Sequence, residues 1–132
     1  MELDLETQKK LASEWFKFLQ LKILEEFQCL EKEFSKRKKV VPKYFKKNDW
    51  KKENVSEGGG AYYILKNGQL FEKVGINHST VEGIFPKKFK GNIPGTKKNN
   101  CYWASGISIV AHMKNPKIPA MHFNTRFVVT SK

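Results

Sequence analysis

The chain has 132 residues, 39% of them hydrophobic, and a formal net charge of +12 from 25 Lys and Arg against 13 Asp and Glu. That length holds one domain with a real core, and that apolar content excludes a disordered chain. No apolar run is long enough to cross a bilayer and no signal peptide is visible, so the cytoplasm is the expected location.

Residues 1–34 are expected to form a helix. Leu11, Trp15, Leu19, Ile23, Phe27, Leu30 and Phe34 recur at spacings of three and four, which makes one apolar stripe. Phe16, Phe18, Leu21 and Leu24 widen it and predict burial against more than one neighbour. Acidic Glu2, Asp4 and Glu6 crowd the start and Lys36 to Lys39 follow the end, as the helix dipole favours.

Residues 35–57 read as a basic connection. Tyr44, Phe45 and Trp50 are interleaved with lysines, a pattern that fits an RNA-binding arm with bases stacked on the rings. A solvated linker with its aromatics docked on the body fits as well, and charge runs favour it. The net charge does not decide the matter. It is nearly all Lys in a chain also rich in Asn, Ile and Phe, which coding bias alone produces, and it suits a small polycarboxylate as readily as a nucleic acid.

Residues 58–132 are expected to be antiparallel strands, giving an α+β fold in a single domain. Asn67-Gly68 between two apolar runs predicts a hairpin with a type I′ turn. Gly58, Gly59 and Gly60 before it read as a flexible lead-in; no Lys-Ser or Lys-Thr follows, so they are not a P-loop. His78 reads as an ordinary hydrogen-bonded residue. Residues 83–100, rich in Gly, Pro, Lys and Asn, read as an exposed loop. Cys29 and Cys101 lie outside any CxxC pattern and read as free thiols.

The stretch from Ser108 to Arg126 organises the rest. The strand period of two puts Ser108, Val110 and His112 on one face and Ile107, Ile109 and Ala111 on the other. In the next strand Ala120, His122, Asn124 and Arg126 share a face, and Met121, Phe123, Thr125 and Phe127 share the opposite one. Pro116 and Pro119 stiffen the link. One face packs a core; the other carries a serine, two histidines, an amide and a guanidinium. A merely solvated face in so lysine-rich a chain should carry Lys, Glu and Thr instead, so a substrate-lined face is expected.

Arg126 suits a planar carboxylate, and His122 on the same face suits a proton donor or acceptor beside it, with Asn124 between them. Ser108 and His112 sit about 13 Å apart along their strand, too far for a nucleophile pair. His112 and His122 offer imidazoles to a divalent metal, but no acid or thiol on the same strands completes the set.

Trp50, Glu57-Gly58-Gly59-Gly60, Phe71 to Asn77, Gly106 to His112, Asn115 to Pro119 and His122 to Phe127 follow in an order and spacing that resemble the oxygen-dependent coproporphyrinogen III oxidases. The resemblance covers nearly the whole chain but only about the first half of that family's enzyme. It implies oxidative decarboxylation of two propionates of coproporphyrinogen III to vinyl groups by dioxygen, giving protoporphyrinogen IX in haem biosynthesis. It implies a large antiparallel sheet flanked by helices, in a homodimer. By residue, it implies a substrate-contacting Ser108, a proton-donating His122, and a substrate-binding Asn124-Thr125-Arg126 with Arg126 facing a propionate. His112 and His122 match positions assigned to a divalent metal in some members, while others need no cofactor. The family's aspartate beside the pyrroles lies beyond the matching part. The chain thus reads as a truncated or split copy, inactive alone. The competing expectations are a basic nucleic-acid-binding module and a non-catalytic partner of a full-length oxidase.

Overall fold

The computed structural model describes residues 2–130 and has one long helix lying across one face of a five-stranded sheet. Helix α1 spans Leu5–Lys38, four residues beyond the expected end. Asp4 caps it: its carboxylate accepts from the Thr7 backbone N–H at 3.0 Å and from the Thr7 hydroxyl at 2.6 Å. The helix stops at Lys39 in the left-handed region (φ 56°), where the Val40 N–H returns to the Ser35 carbonyl.

Strands β1 (Lys46–Lys51), β2 (Gly58–Lys66), β3 (Phe71–Ile84), β4 (Cys101–Met113) and β5 (Met121–Thr130) pair antiparallel in sequence order. The α+β expectation holds. The basic connection, however, contains β1, which the lysine run concealed. The chain leading into β1 is also docked. Gln28 on α1 accepts from the Phe45 N–H and donates to the Lys43 carbonyl, and Phe45 packs against the core.

The core lies between α1 and the sheet: Phe16, Leu65, Phe71, Val74, Ile76, Ile107, Ile109 and Ala111. Phe27 stacks on Phe71 at 5.4 Å. Ile107, Ile109 and Ala111 therefore face inward as the alternation predicted. The helix stripe is rotated from its expected position. Leu19, Ile23 and Phe27 do face the core, but Leu11, Trp15 and Leu30 are 51%, 56% and 46% exposed. The buried residues of α1 are Phe16, Gln20, Glu31 and Ser35. Three of them are polar and hydrogen-bonded. Gln20 donates to the carbonyls of Ala61 and Ile76, and the Ser35 hydroxyl to the Glu31 carbonyl. The Glu31 carboxylate accepts from the backbone N–H groups of Gln69, Leu70 and Phe71.

That carboxylate also reshapes the hairpin. Of Asn67 and Gly68 only Asn67 has positive φ (53°), and the β2–β3 connection runs from Asn67 to Leu70 rather than through a two-residue type I′ turn. The three glycines are not a loose lead-in either. They are paired in β2, and a Cβ on any of them would strike a neighbouring strand's carbonyl oxygen: Thr80, Trp50 and His78 in turn. Cys29 and Cys101 are exposed free thiols.

Candidate functional site

The sheet's second face is open, and its pairing register lays the side chains out in rows. One row runs Trp50, Gly60, Ser79, Gly106, Arg126 from β1 to β5. The next runs Asn48, Tyr62, Asn77, Ser108, Asn124. The third runs Lys46, Ile64, Gly75, Val110, His122, and beyond it Lys66, Lys73 and His112 lie side by side. The structure thus gathers Ser108, His112, His122, Asn124 and Arg126 on one surface. Thr125 points the other way, in register with Ile107 on the helix side, so only its main chain fronts the open face.

Within this surface His112 and His122 meet: their Nε2 atoms are 3.4 Å apart and their rings tilted by 57°. One neutral imidazole can donate to the other, so a proton accepted at one ring can pass to its neighbour. His122 and Arg126 are four residues apart on β5, about 13 Å along the strand with Asn124 between, so His122 is not directly beside Arg126 as expected. Arg126 is exposed and has no ion-pair partner among the described residues. Gly106 faces it across the ladder; a Cβ there would fall 2.7 Å from Arg126 Cγ, so the glycine makes room for the arginine stem. At the opposite edge Trp50 Nε1 donates to Asn77 Oδ1 at 3.2 Å, over a position where Gly60 has no side chain to obstruct it.

None of the residues in these rows is acidic. The face carries Lys46, Lys66, Lys73, Arg126, two histidines and three asparagines with no carboxylate among them. Tyr62 and the lysines of this face were missed in the sequence, and Trp50 and Asn77 were noted there without being placed at this site. Finding them requires the register of all five strands, and no local motif supplies it.

Two imidazoles are only part of a metal's donor set. No group of three or more His, Cys, Asp or Glu clusters among the described residues, so the side chains present do not fit a complete metal site. The third histidine, His78, lies on the helix side opposite Ala61 and Ile107. It hydrogen-bonds the Ser13 main chain, as an ordinary hydrogen-bonded residue would, while its Nε2 is buried without a partner among the described residues. Burial, and then the nearby Lys17 ammonium, hold its pKa below the usual histidine value.

Residues 12–132 match the family described as coproporphyrinogen III oxidase. Among similar proteins are the oxygen-dependent coproporphyrinogen-III oxidases of Rickettsia felis, Rickettsia bellii and Rickettsia akari, each 44% identical over 124 residues. Each match covers 94% of this chain and 43% of the relative, so the chain spans less than half the length of these relatives. The chain belongs to the coproporphyrinogen III oxidase family.

Proposed function

We propose that the open face of the sheet binds coproporphyrinogen III and contributes one wall of the site where its propionates are oxidatively decarboxylated. The observation that carries this is a face that holds Ser108, His112, His122, Asn124 and Arg126 together in paired rows free of acidic residues, in a chain of this family. Each reacting arm loses carbon dioxide and the equivalent of a hydride. Dioxygen takes the hydride and, with one proton, leaves as hydrogen peroxide; the arm becomes a vinyl group. Dioxygen is the only oxidant this requires.

In this reading Arg126 grips a propionate through paired N–H donors. Asn124 and Ser108, adjacent across the β4–β5 ladder, offer hydrogen bonds to the pyrroles or to a second carboxylate oxygen. His122 exchanges a proton with the macrocycle and relays it through His112. The main chain of Thr125 holds the flanking residues outward.

The other wall comes from polypeptide that the relatives have and residues 1–132 do not cover. Two surfaces suit such cover: β5, unpaired on its outer side with Met121, Phe123 and Val128 exposed, and the outer face of α1. We infer a dimeric assembly located in the cytoplasm. Among the described residues no helix is long and apolar enough to cross a membrane. The test is aerobic turnover of coproporphyrinogen III by residues 1–132, alone and mixed with a chain carrying the remaining part of the Rickettsia felis relative. Turnover in the mixture and none from residues 1–132 alone is expected. Steady turnover by residues 1–132 alone, or none in a mixture that forms a complex, contradicts the reading.

A further inference from the structure

We propose that the corner of the open face farthest from Arg126 is a second carboxylate subsite, built by Lys46 and Lys66 beside Tyr44 and Tyr62, which holds a different propionate arm of the same ligand. This rests on the function proposed above and adds to it where the other end of the substrate goes.

A concavity of about 690 Å³ opens at the β1 edge, and these four residues line it. Three of them are on the open face by register. Lys46 stands opposite Ile64, Lys66 is two residues further along the same strand, and Tyr62 lies between Asn48 and Asn77. Neither Lys46 nor Lys66 has an ion-pair partner among the described residues. Nearby lysines do: Lys47 meets Asp49 at 3.3 Å and Lys52 meets Glu57 at 3.6 Å. Two uncompensated ammonium groups on one rim repel each other, and an anion seated between them relieves that repulsion. Tyr44 and Tyr62 line the same hollow, and the Lys32 ammonium lies over the Tyr44 ring at 5.5 Å.

Position decides what kind of anion fits. From Arg126 to Lys46 the sheet runs four strands across and four residues along. That is about 19 Å by about 13 Å, or about 23 Å between backbones. One small acid cannot touch both groups. A broad ligand with carboxylates on several arms can, because both side chains are long enough to span part of that distance. The floor between them suits a flat ring: Ile64, Gly75 and Val110 lie in register, and a Cβ placed on Gly75 would meet nothing within 4 Å. Arg126 and the lysine corner therefore count arms at two ends of one macrocycle. A product that has lost carboxylates is held less well than the substrate.

The test uses residues 1–132 and two probes, the tetracarboxylate coproporphyrin III and the dicarboxylate protoporphyrin IX, followed by quenching of tryptophan fluorescence. The Lys46→Gln/Lys66→Gln double variant should bind the tetracarboxylate about fivefold more weakly and the dicarboxylate less than about twofold more weakly, the scale of two exposed ion pairs. Lys46→Arg/Lys66→Arg should restore binding. Lys10→Gln/Lys36→Gln on the helix removes the same charge behind the sheet and should change neither titration. If the helix pair weakens binding as much as the corner pair, net charge accounts for the effect and the subsite is overturned. If the corner pair binds both probes as the wild type does while Arg126→Ala binds more weakly, the subsite falls and the proposed function stands. If the wild type binds neither porphyrin, the proposed function falls and the subsite with it.

Discussion

Glu31 is the residue whose loss should damage this fold most. It is fully buried on α1, and its carboxylate accepts from the N–H groups of Gln69, Leu70 and Phe71, the last two at 3.0 and 3.2 Å. Glu31→Ala strands three donors in and around the core. An unsatisfied buried polar group costs about 1–3 kcal/mol, and removing one partner of a buried charged network about 3–5 kcal/mol. Water reaching the partly buried Gln69 and Leu70 amides softens the loss, so about 4 kcal/mol is expected. That is a large fraction of the roughly 5–15 kcal/mol that holds a domain together. With a urea slope of about 2 kcal/mol/M, the midpoint should drop by about 2 M. Glu31→Gln keeps one acceptor oxygen and should lose about half as much. Gly68 supplies a second check, because a Cβ there would lie 2.8 Å from Glu31 Oε1 and 2.7 Å from Leu65 Cδ2. Gly68→Ala should therefore cost less in the Glu31→Ala background than in the wild type, a coupling of about 0.5–1 kcal/mol. A Glu31→Ala midpoint within about 0.3 M of the wild type would refute the reasoning.

Gly106→Ala should weaken porphyrin binding and lower stability together, because the added methyl strikes both Arg126 and the Thr125 carbonyl; fluorescence titration and thermal melting of the variant check this. Trp50→Phe keeps the ring and loses the Asn77 hydrogen bond, so it should cost about 1 kcal/mol in urea unfolding. For His78 the folded pKa lies below the unfolded 6.5, so the unfolded chain binds more protons as the pH falls below that value. The stabilisation from neutral His78 is whole above pH 6.5 and declines as the pH drops toward the folded pKa. Unfolding measured across that window should show a slope that His78→Gln flattens.

The local parts of the fold were legible because local chemistry sets them. Asp4 with the acidic first turn marks the start of the helix, and the alternation from Ile107 to Ala111 sorts β4 into two faces without knowledge of its partners. What misled was long-range. The stripe from Leu11 to Leu30 is apolar, yet the helix seats Gln20 and Glu31 against the sheet because main-chain groups of β2, β3 and the loop between them need those partners. Apolar periodicity cannot see such a need. Asn67-Gly68 announced a hairpin, but a two-residue turn would pair Lys66 with Gln69. Glu31 instead holds the amides from Gln69 to Phe71 in a longer loop, and Lys66 pairs with Lys73. The shift is an even number of residues, so every side chain kept its face. The Arg126 end of the site was readable in one strand pair. The Trp50, Tyr62 and lysine end was not, because it exists only once three further strands are in register. A hydrogen bond to a charged group is worth roughly 1.5–3 kcal/mol where it is shielded from water. Arg126 is exposed in residues 1–132, so its proposed contact with a propionate should contribute only about 1 kcal/mol here.

In the proposed function the ligand lies on the open face of the sheet. The molecule offers one rival surface, the outer side of α1, where Leu11, Trp15, Phe18 and Leu21 are exposed. Adding coproporphyrin III to isotope-labelled residues 1–132 and following backbone-amide and indole N–H resonances separates the two. The largest shifts are expected at the Trp50 indole, Ser108, His122, Asn124 and Arg126, with α1 unmoved. Shifts centred on Leu11, Trp15, Phe18 and Leu21, with the open face silent, would contradict it.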